Sequence, residues 1–444
     1  MRWILGALSA LLMGTLFSAG TAAAQETWVG GSPYQAQIRV DANGDTWVGI
    51  WVDAPAVAPQ VRARAPMAVS LVIDTSGSMA GEKIDNARMA VSSLLETLGD
   101  GDIVSIYGFS NGVMEIAPPT VLSQASRAPL MQAVSRIVAA GGTNMWDGMQ
   151  VGIARMAQAP ATHAVRRIFL ISDGHANIGP SDPVSLGNLA AGSTENGTQI
   201  TAIGVGYDYD QTTLAALAIR SSGRVYHLGQ SHQMASILEQ ELDMLSRSVA
   251  VNAFIEVQPA PGVTLLEGAT SGAVIDNGRL RFPLGSVAAG QQREILFRAR
   301  VNTARLGARQ LATARLVYET PDERARREQS VQLAYEVTRD EAARAVAPRV
   351  AAMVADHEAV AAQRQAAALM QQGQAQQAAV VLRQAQASVQ QQAQAAPPAA
   401  RARMQERAGS LGRASSSAGA ARSEPEMRQR SYDFADEAMS AEGY

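Results

Sequence analysis

The spacing of apolar positions changes character along this chain, and each change marks a different kind of structure. From Pro66 to about residue 247, strand-length apolar runs alternate with helical stretches. "MAVSLVID" reads as a buried strand. Residues 82–98 read as an amphipathic helix with Ile84, Ala87, Val91, Leu94, Leu95 and Leu98 on one face. "DIVSIYGF", "VRRIFLIS", "TQITAIGVG" and "GRVYHL" predict further strands, and "GVMEIAP" a short edge strand. Helices are expected near 126–138, 145–158, 183–192, 210–220 and 231–247. Strands separated by helices imply a mostly parallel sheet covered on both faces, a doubly wound α/β domain.

From Val249 the period becomes two. "VNAFIEV", "GRLRFPL", "REILFRARV", "LATARLVYE" and "SVQLAYEV" alternate well, with Ile295, Phe297, Ala299 and Val301 sharing one face. Such runs up to Val337 imply an antiparallel β-sandwich. Upstream, "AQIRV" and "TWVGIWV" flank an Asn43-Gly44 turn, a strong hairpin signal. An isolated hairpin is marginal in water. These strands are therefore expected to complete the sandwich, with the α/β domain inserted into it. "DAPAVAPQVRARAP" is the proline-bearing linker between them.

Residues 338–396 are rich in Ala and Gln and read as helical. Thr338 and Glu341 fit a capping box, and Gly373 divides the run into a helical hairpin. From Pro397 onward Ser, Gly, Ala and Arg dominate, and the composition predicts disorder. The expected division is 1–24 signal peptide, 25–65 sandwich strands and linker, 66–247 α/β domain, 248–337 sandwich, 338–396 helical region and 397–444 tail.

Composition adds limits. The 444 residues carry a formal net charge of −3, so no bulk basic field argues for nucleic acid. The first residues, "MRWILGALSALLMGTLFSAGTAAAQE", combine one positive charge, an apolar run and small residues. That pattern is a secretory signal with cleavage after Ala24. Its apolar run, Trp3 to Phe17, is short for a span of ~20 residues. The expected destination is the periplasm, the cell surface or the medium. The chain has no cysteine, so neither a lipid anchor on cysteine nor a disulfide can form.

The chemistry concentrates in "LVIDTSGSMAG", where Asp74 ends the first strand of the α/β domain and Ser76 and Ser78 follow. Asp173 ends the fourth strand in the same way, in "ISDGHANIG". If the strand order is 3-2-1-4-5-6, these two strands are neighbours at the topological switch point, where ligands bind. "AAGGTNMWDGM" supplies Thr143 from a glycine-led loop. Taken alone, Asp74–Ser78 could be a capped turn. Together the segments offer two carboxylates and three hydroxyls, with no thiol and no imidazole. That donor set suits Mg²⁺ first, with Mn²⁺ or Ca²⁺ as alternatives, and does not suit zinc.

D-x-S-x-S, then a loop threonine, then a strand-end aspartate resembles the metal-ion-dependent adhesion site of von Willebrand factor type A domains. The resemblance covers about residues 66–247. It rests on "LVIDTSGSM", "GGTNMWDGM", "FLISDG" and "ITAIGVGYDYDQTTLAALA". It implies that Ser76 and Ser78 bind the ion directly, and that Thr143 does so when a partner is engaged. Asp74 and Asp173 would act largely through bound water. It further implies a protein partner offering an acidic side chain or a C-terminal carboxylate, and a last helix whose shift couples the site to the rest of the chain. The wider layout resembles secreted bacterial proteins, inter-alpha-trypsin inhibitor heavy chains and proteins described as chloride-channel-like.

Other motifs are weaker. "GFSNG" matches a nucleophile-elbow spacing, but no helix follows it, so it reads as a loop. "HEAVA" at His357 lacks the second histidine of a zinc protease. His175 reads as an exposed loop residue, and Lys83 with Asp85 as a solvated helix face. No acid–base or nucleophile constellation points to an enzyme. The competing reading is a structural or assembly subunit of the cell envelope. It would dock through its helical region and tail, with the metal only stabilising the fold.

Overall fold

The computed structural model describes residues 27–56, 65–340 and 345–444. The signal segment, most of the linker and Glu341 of the expected capping box lie outside the described residues. The N-terminal strands are β1 (Val29–Pro33), β2 (Gln37–Arg39) and β3 (Asp45–Asp53). The α/β domain follows as β4 (Met67–Asp74), α1 (Glu82–Thr97), β5 (Ile103–Phe109), β6 (Val113–Val121), α2 (Gln124–Ser135) and α3 (Met145–Ala157). It continues through β7 (Val165–Ser172), α4 (Pro183–Ser193), β8 (Thr198–Val205), α5 (Gln211–Ser221), β9 (Arg224–Leu228) and α6 (Met234–Ser246).

The sheet of this domain has the order β6-β5-β4-β7-β8-β9. Counted within the domain this is the 3-2-1-4-5-6 arrangement, and β6 is its antiparallel edge. Every residue of β4, β5, β7 and β8 is buried, because helices cover both faces. Val69, Leu71 and Ile73 join the core under α1 and α6. Ala68 and Val72 point the other way, into the core under α3, α4 and α5. Two apolar layers therefore clamp β4, and its carboxyl end is held rigidly.

Only Arg247 separates α6 from the next strand, β10 (Ser248–Pro259). The rest of the sandwich is β11 (Thr264–Gly268), β12 (Val274–Asp276), β13 (Arg279–Ala288), β14 (Gln292–Arg300), β15 (Gly307–Glu319) and β16 (Arg326–Thr338). One sheet has the order β1-β3-β14-β11 and the other β12-β13-β10-β15-β16-β2. The expected hairpin across Asn43-Gly44 does not form, because β2 pairs with β16 while β3 pairs with β1 and β14; the N-terminal strands sit in both sheets, and the α/β domain interrupts the sandwich between β3 and β10. Ile295, Phe297, Ala299 and Val301 all face the core, as the alternation predicts. The short strands β11 and β12 carry too little pattern to be read from the sequence.

Four helices complete the chain: α7 (Pro348–Gln371), α8 (Ala375–Ala395), α9 (Pro398–Ala420) and α10 (Glu424–Glu442). Gly373 takes φ +75° at the turn between α7 and α8, a conformation that favours glycine. The helical region does not begin at Thr338, which closes β16; it begins at Pro348.

The expected disorder after Pro397 is corrected: α9 and α10 are folded helices. Ala400, Met404, Ala408, Leu411, Ala414 and Ala418 form a buried stripe at helical spacing on α9. Small residues let α9 approach α8 closely enough for Ser415 Oγ to donate to the Ala379 carbonyl at 2.8 Å. On α10, Tyr432 and Phe434 are buried. Composition alone undervalues Ala, Ser and Gly, which bury little area each yet pack well when backbones can come close.

Candidate metal centre

β4 and β7 are adjacent and parallel, with Ile73 opposite Ile171. Their carboxyl ends therefore deliver Asp74 and Asp173 side by side. Beyond Asp74 the chain turns sharply. Asp74 Oδ1 accepts the Ser76 N–H at 2.8 Å, an Asx turn that holds the two serines over the sheet end. Ser76 Oγ and Ser78 Oγ lie 3.0 Å apart, and Ser78 Oγ donates to Asp173 Oδ1 at 2.8 Å. The turn-cap reading of Asp74–Ser78 is thus correct locally, and it is also what aims the hydroxyls.

The Thr143 loop is tied to the same place by its backbone. Gly77 N–H donates to the Gly141 carbonyl at 3.0 Å, and Ala140 N–H to the Thr75 carbonyl at 2.7 Å. Gly174 sits between the segments: a Cβ there would stand 3.5 Å from Ser78 Oγ and 3.9 Å from Thr143 Oγ1. The lack of a side chain leaves the centre open. Asp74, Ser76, Ser78, Thr143 and Asp173 are therefore all brought to one crevice.

Three supporting groups escaped the sequence reading. Ser172 Oγ donates to Asp74 Oδ2 at 2.7 Å; it reads as one more buried strand residue. Asn111, in "GFSNG", accepts the Gly142 N–H at 2.7 Å, while the Ser110 carbonyl accepts the Asn144 N–H at 2.7 Å. That segment is the tight β5–β6 loop, and it buttresses the Thr143 loop. Lys83 corrects the expectation of a solvated helix face: its ammonium donates to Asp173 Oδ2. Asp85 does behave as expected, exposed and paired with Arg88. His175 is exposed, and His357 packs edge-on to Trp47.

Electrostatically the centre is short of positive charge. Asp74 and Asp173 are 0% and 1% exposed. Burial pushes the Asp74 carboxyl above its usual range, although hydrogen bonds from Ser76 and Ser172 oppose the rise and the charge of Asp173 adds to it. Buried charges need pairing or metal. The described residues contain no group of three or more acidic or imidazole side chains that could hold an ion. The candidate set instead joins two carboxylates to neutral hydroxyls, all hard oxygens, and it fits a small divalent cation.

The comparisons with known proteins agree with this fold. The family model for the von Willebrand factor type A domain matches residues 69–240. The chain carries a von Willebrand factor type A domain, and domains of this kind typically serve protein interaction and adhesion. The uncharacterized protein sll0103 of Synechocystis is 27% identical over 201 residues, covering 45% of this chain and 46% of that one. Inter-alpha-trypsin inhibitor heavy chain H3 of Mesocricetus auratus is 27% identical over 270 residues, covering 56% of this chain and 30% of that one. The matches span less than half the length of these curated relatives. A solved von Willebrand factor type A structure from Catenulispora acidiphila superposes with a TM-score of 0.69 at 19% identity. It covers 83% of this chain and 87% of its own, so the shared fold extends beyond the α/β domain. No helix among the described residues is long and apolar enough to cross a membrane.

Proposed function

We propose that this is an exported, non-enzymatic protein that binds a protein partner through a divalent ion, Mg²⁺ first. The ion would be held by Asp74, Ser76, Ser78, Thr143 and Asp173. The observation that carries the reading is the convergence of these five side chains at the β4–β7 switch point, with two buried carboxylates and too little cationic compensation. An ion ligated mainly by neutral hydroxyls would keep much of its charge and accept a partner's carboxylate oxygen. Ser76 and Ser78 would provide those hydroxyls. Asp74 would fix the turn that presents them and Ser172 would fix Asp74. Gly174 would leave the approach open. Because α6 runs almost directly into β10, movement at the site would be felt in the sandwich. Docking through a free tail is the weaker reading, since α9 and α10 bury their apolar stripes within the protein.

Thermal unfolding with Mg²⁺, Mn²⁺, Ca²⁺ or chelator tests the metal. The wild type is expected to gain several degrees with Mg²⁺, since an ion at a hundred times its Kd stabilises by about 2.7 kcal/mol. Asp74→Ala is expected to gain nothing. Equal curves for both proteins in every condition would remove the metal from the reading. Co-purification from the native envelope with Mg²⁺, followed by stripping with chelator, tests the partner. A partner that stays bound to Asp74→Ala would sink the carboxylate-on-metal mechanism.

A further inference from the structure

The chain has 37 basic residues, and Lys83 is the one lysine among them. It stands in the first turn of α1, where the helix dipole favours acids and disfavours a cation. Its ammonium nevertheless reaches across to Asp173 Oδ2, the oxygen opposite the one that accepts from Ser78. The Lys83 side chain is 33% exposed, while that of Asp173 is fully buried. Lysine differs from arginine here in a way that matters. It is a compact point charge on a flexible stem, whereas a guanidinium would grip the carboxylate with a rigid fork. Beside it lies a hollow of about 720 Å³, whose lining includes Glu82, Asn86, Gly206 and Gly229. Gly206 carries no side chain, and a Cβ there would stand 3.9 Å from the Lys83 nitrogen.

We propose that Lys83 is the internal counter-cation of the site. This rests on the metal reading above and adds a regulator to it. With no divalent ion, Lys83 neutralises Asp173 and keeps the carboxylate pair tolerable in its buried setting. When a divalent ion enters, the ammonium is repelled and withdraws into the hollow toward Glu82. The ion must therefore displace a resident positive charge, which raises the free concentration needed to load the site. A monovalent ion brings no more charge than the ammonium it would replace, so the site selects for divalent ions.

Two measurements on the full mature chain test this. The first is Mn²⁺ binding followed by electron paramagnetic resonance for wild type, Lys83→Met, Lys83→Arg and Asp74→Ala. Lys83→Met is expected to bind at least roughly thirtyfold tighter, because a unit charge and a divalent ion about 4 Å apart repel by about 2 kcal/mol even in the dielectric of water. Lys83→Arg is expected to bind no tighter than wild type. The second is thermal unfolding in chelator. Lys83→Met should lower Tm by a few degrees, and the loss should shrink in an Asp173→Asn background. If wild type binds Mn²⁺ and Lys83→Met binds no tighter, the inference is overturned while the metal reading stands. If wild type binds no Mn²⁺ but the chelator result holds, the metal reading falls and the counter-cation survives. If Lys83→Met is as stable as wild type in chelator, the counter-cation is rejected.

Discussion

Where the sandwich meets the C-terminal helices, Asp53 and Glu294 are each met by arginine. Arg349 forks onto Asp53 with two bonds of 2.7 Å and reaches Glu294 with a third of 2.7 Å. Arg403 adds a bond of 2.6 Å to Glu294. At the carboxyl end of the α/β sheet, Asp74 is held by neutral donors and Asp173 meets a single lysine. The outcome differs in sign. Burial would raise Glu294, but Arg403 and Arg349 outweigh it and hold its carboxyl below the usual range. Burial raises Asp74, and nothing offsets it fully. Asp356, beside Arg403 and Arg407, is also pushed up by burial, so arginine alone does not guarantee compensation. Glu294, met by two arginines, is neutralised within the protein, whereas Asp74, faced by hydroxyls, has no counter-charge of its own.

The largest effect is expected at the joint between sandwich and helices. Arg349→Met removes the fork on Asp53 and one bond to Glu294, which keeps Arg403, and losing these charge-assisted hydrogen bonds at a half-exposed joint costs about 3 kcal/mol. Urea unfolding measures it, and a loss near zero would mean the joint is ornamental. The same change should leave any Mg²⁺-induced gain in Tm untouched, which keeps the two regions distinct.

A smaller effect is expected at Asp436 of α10, whose carboxyl is pushed up to about 6 by burial, with Asp433 and Glu437 adding to the rise. Its folded pKa is above the unfolded one, so its favourable contribution is complete below about pH 4 and is lost as pH rises through about 6. Asp436→Asn is therefore expected to match wild type near pH 4 and to exceed it by about 2–3 kcal/mol above pH 7. Denaturation at the two pH values checks this. A constant difference would show that burial of this acid is not the cause.

The smallest is Ser172→Ala. Losing one hydrogen bond to a charged group costs about 1–2 kcal/mol. The cost should appear in chelator and be accompanied by weaker Mn²⁺ binding. Unchanged binding would mean that Asp74 needs no support from β7.

Much of the α/β domain is legible because both of its periods are clean. The strand runs of β4, β7 and β8 are continuous, and the face of α1 is regular. Asp74, Ser76, Ser78, Thr143 and Asp173 are also legible, since strand ends and a glycine-led loop announce them. Ser172 is not, because a serine inside a buried strand carries no sign of the carboxylate beside it. Lys83 is not, because a lysine in a first helical turn reads as solvated until the partner strand is placed. The helices α9 and α10 are misread because their stripes are built from alanine, serine and glycine.

Local spacing and residue type were enough to announce the elements of the α/β domain, the long strands of the sandwich and the oxygen-only donor set, but not β1, β11, β12, α9 or α10. Tertiary structure alone decided that β1, β2 and β3 are shared between two sheets and that the tail folds back as helices. It also decided which cation stands against Asp173. Those outcomes depend on which distant surfaces come within a few ångströms of each other. Charge compensation and close packing act only at that range.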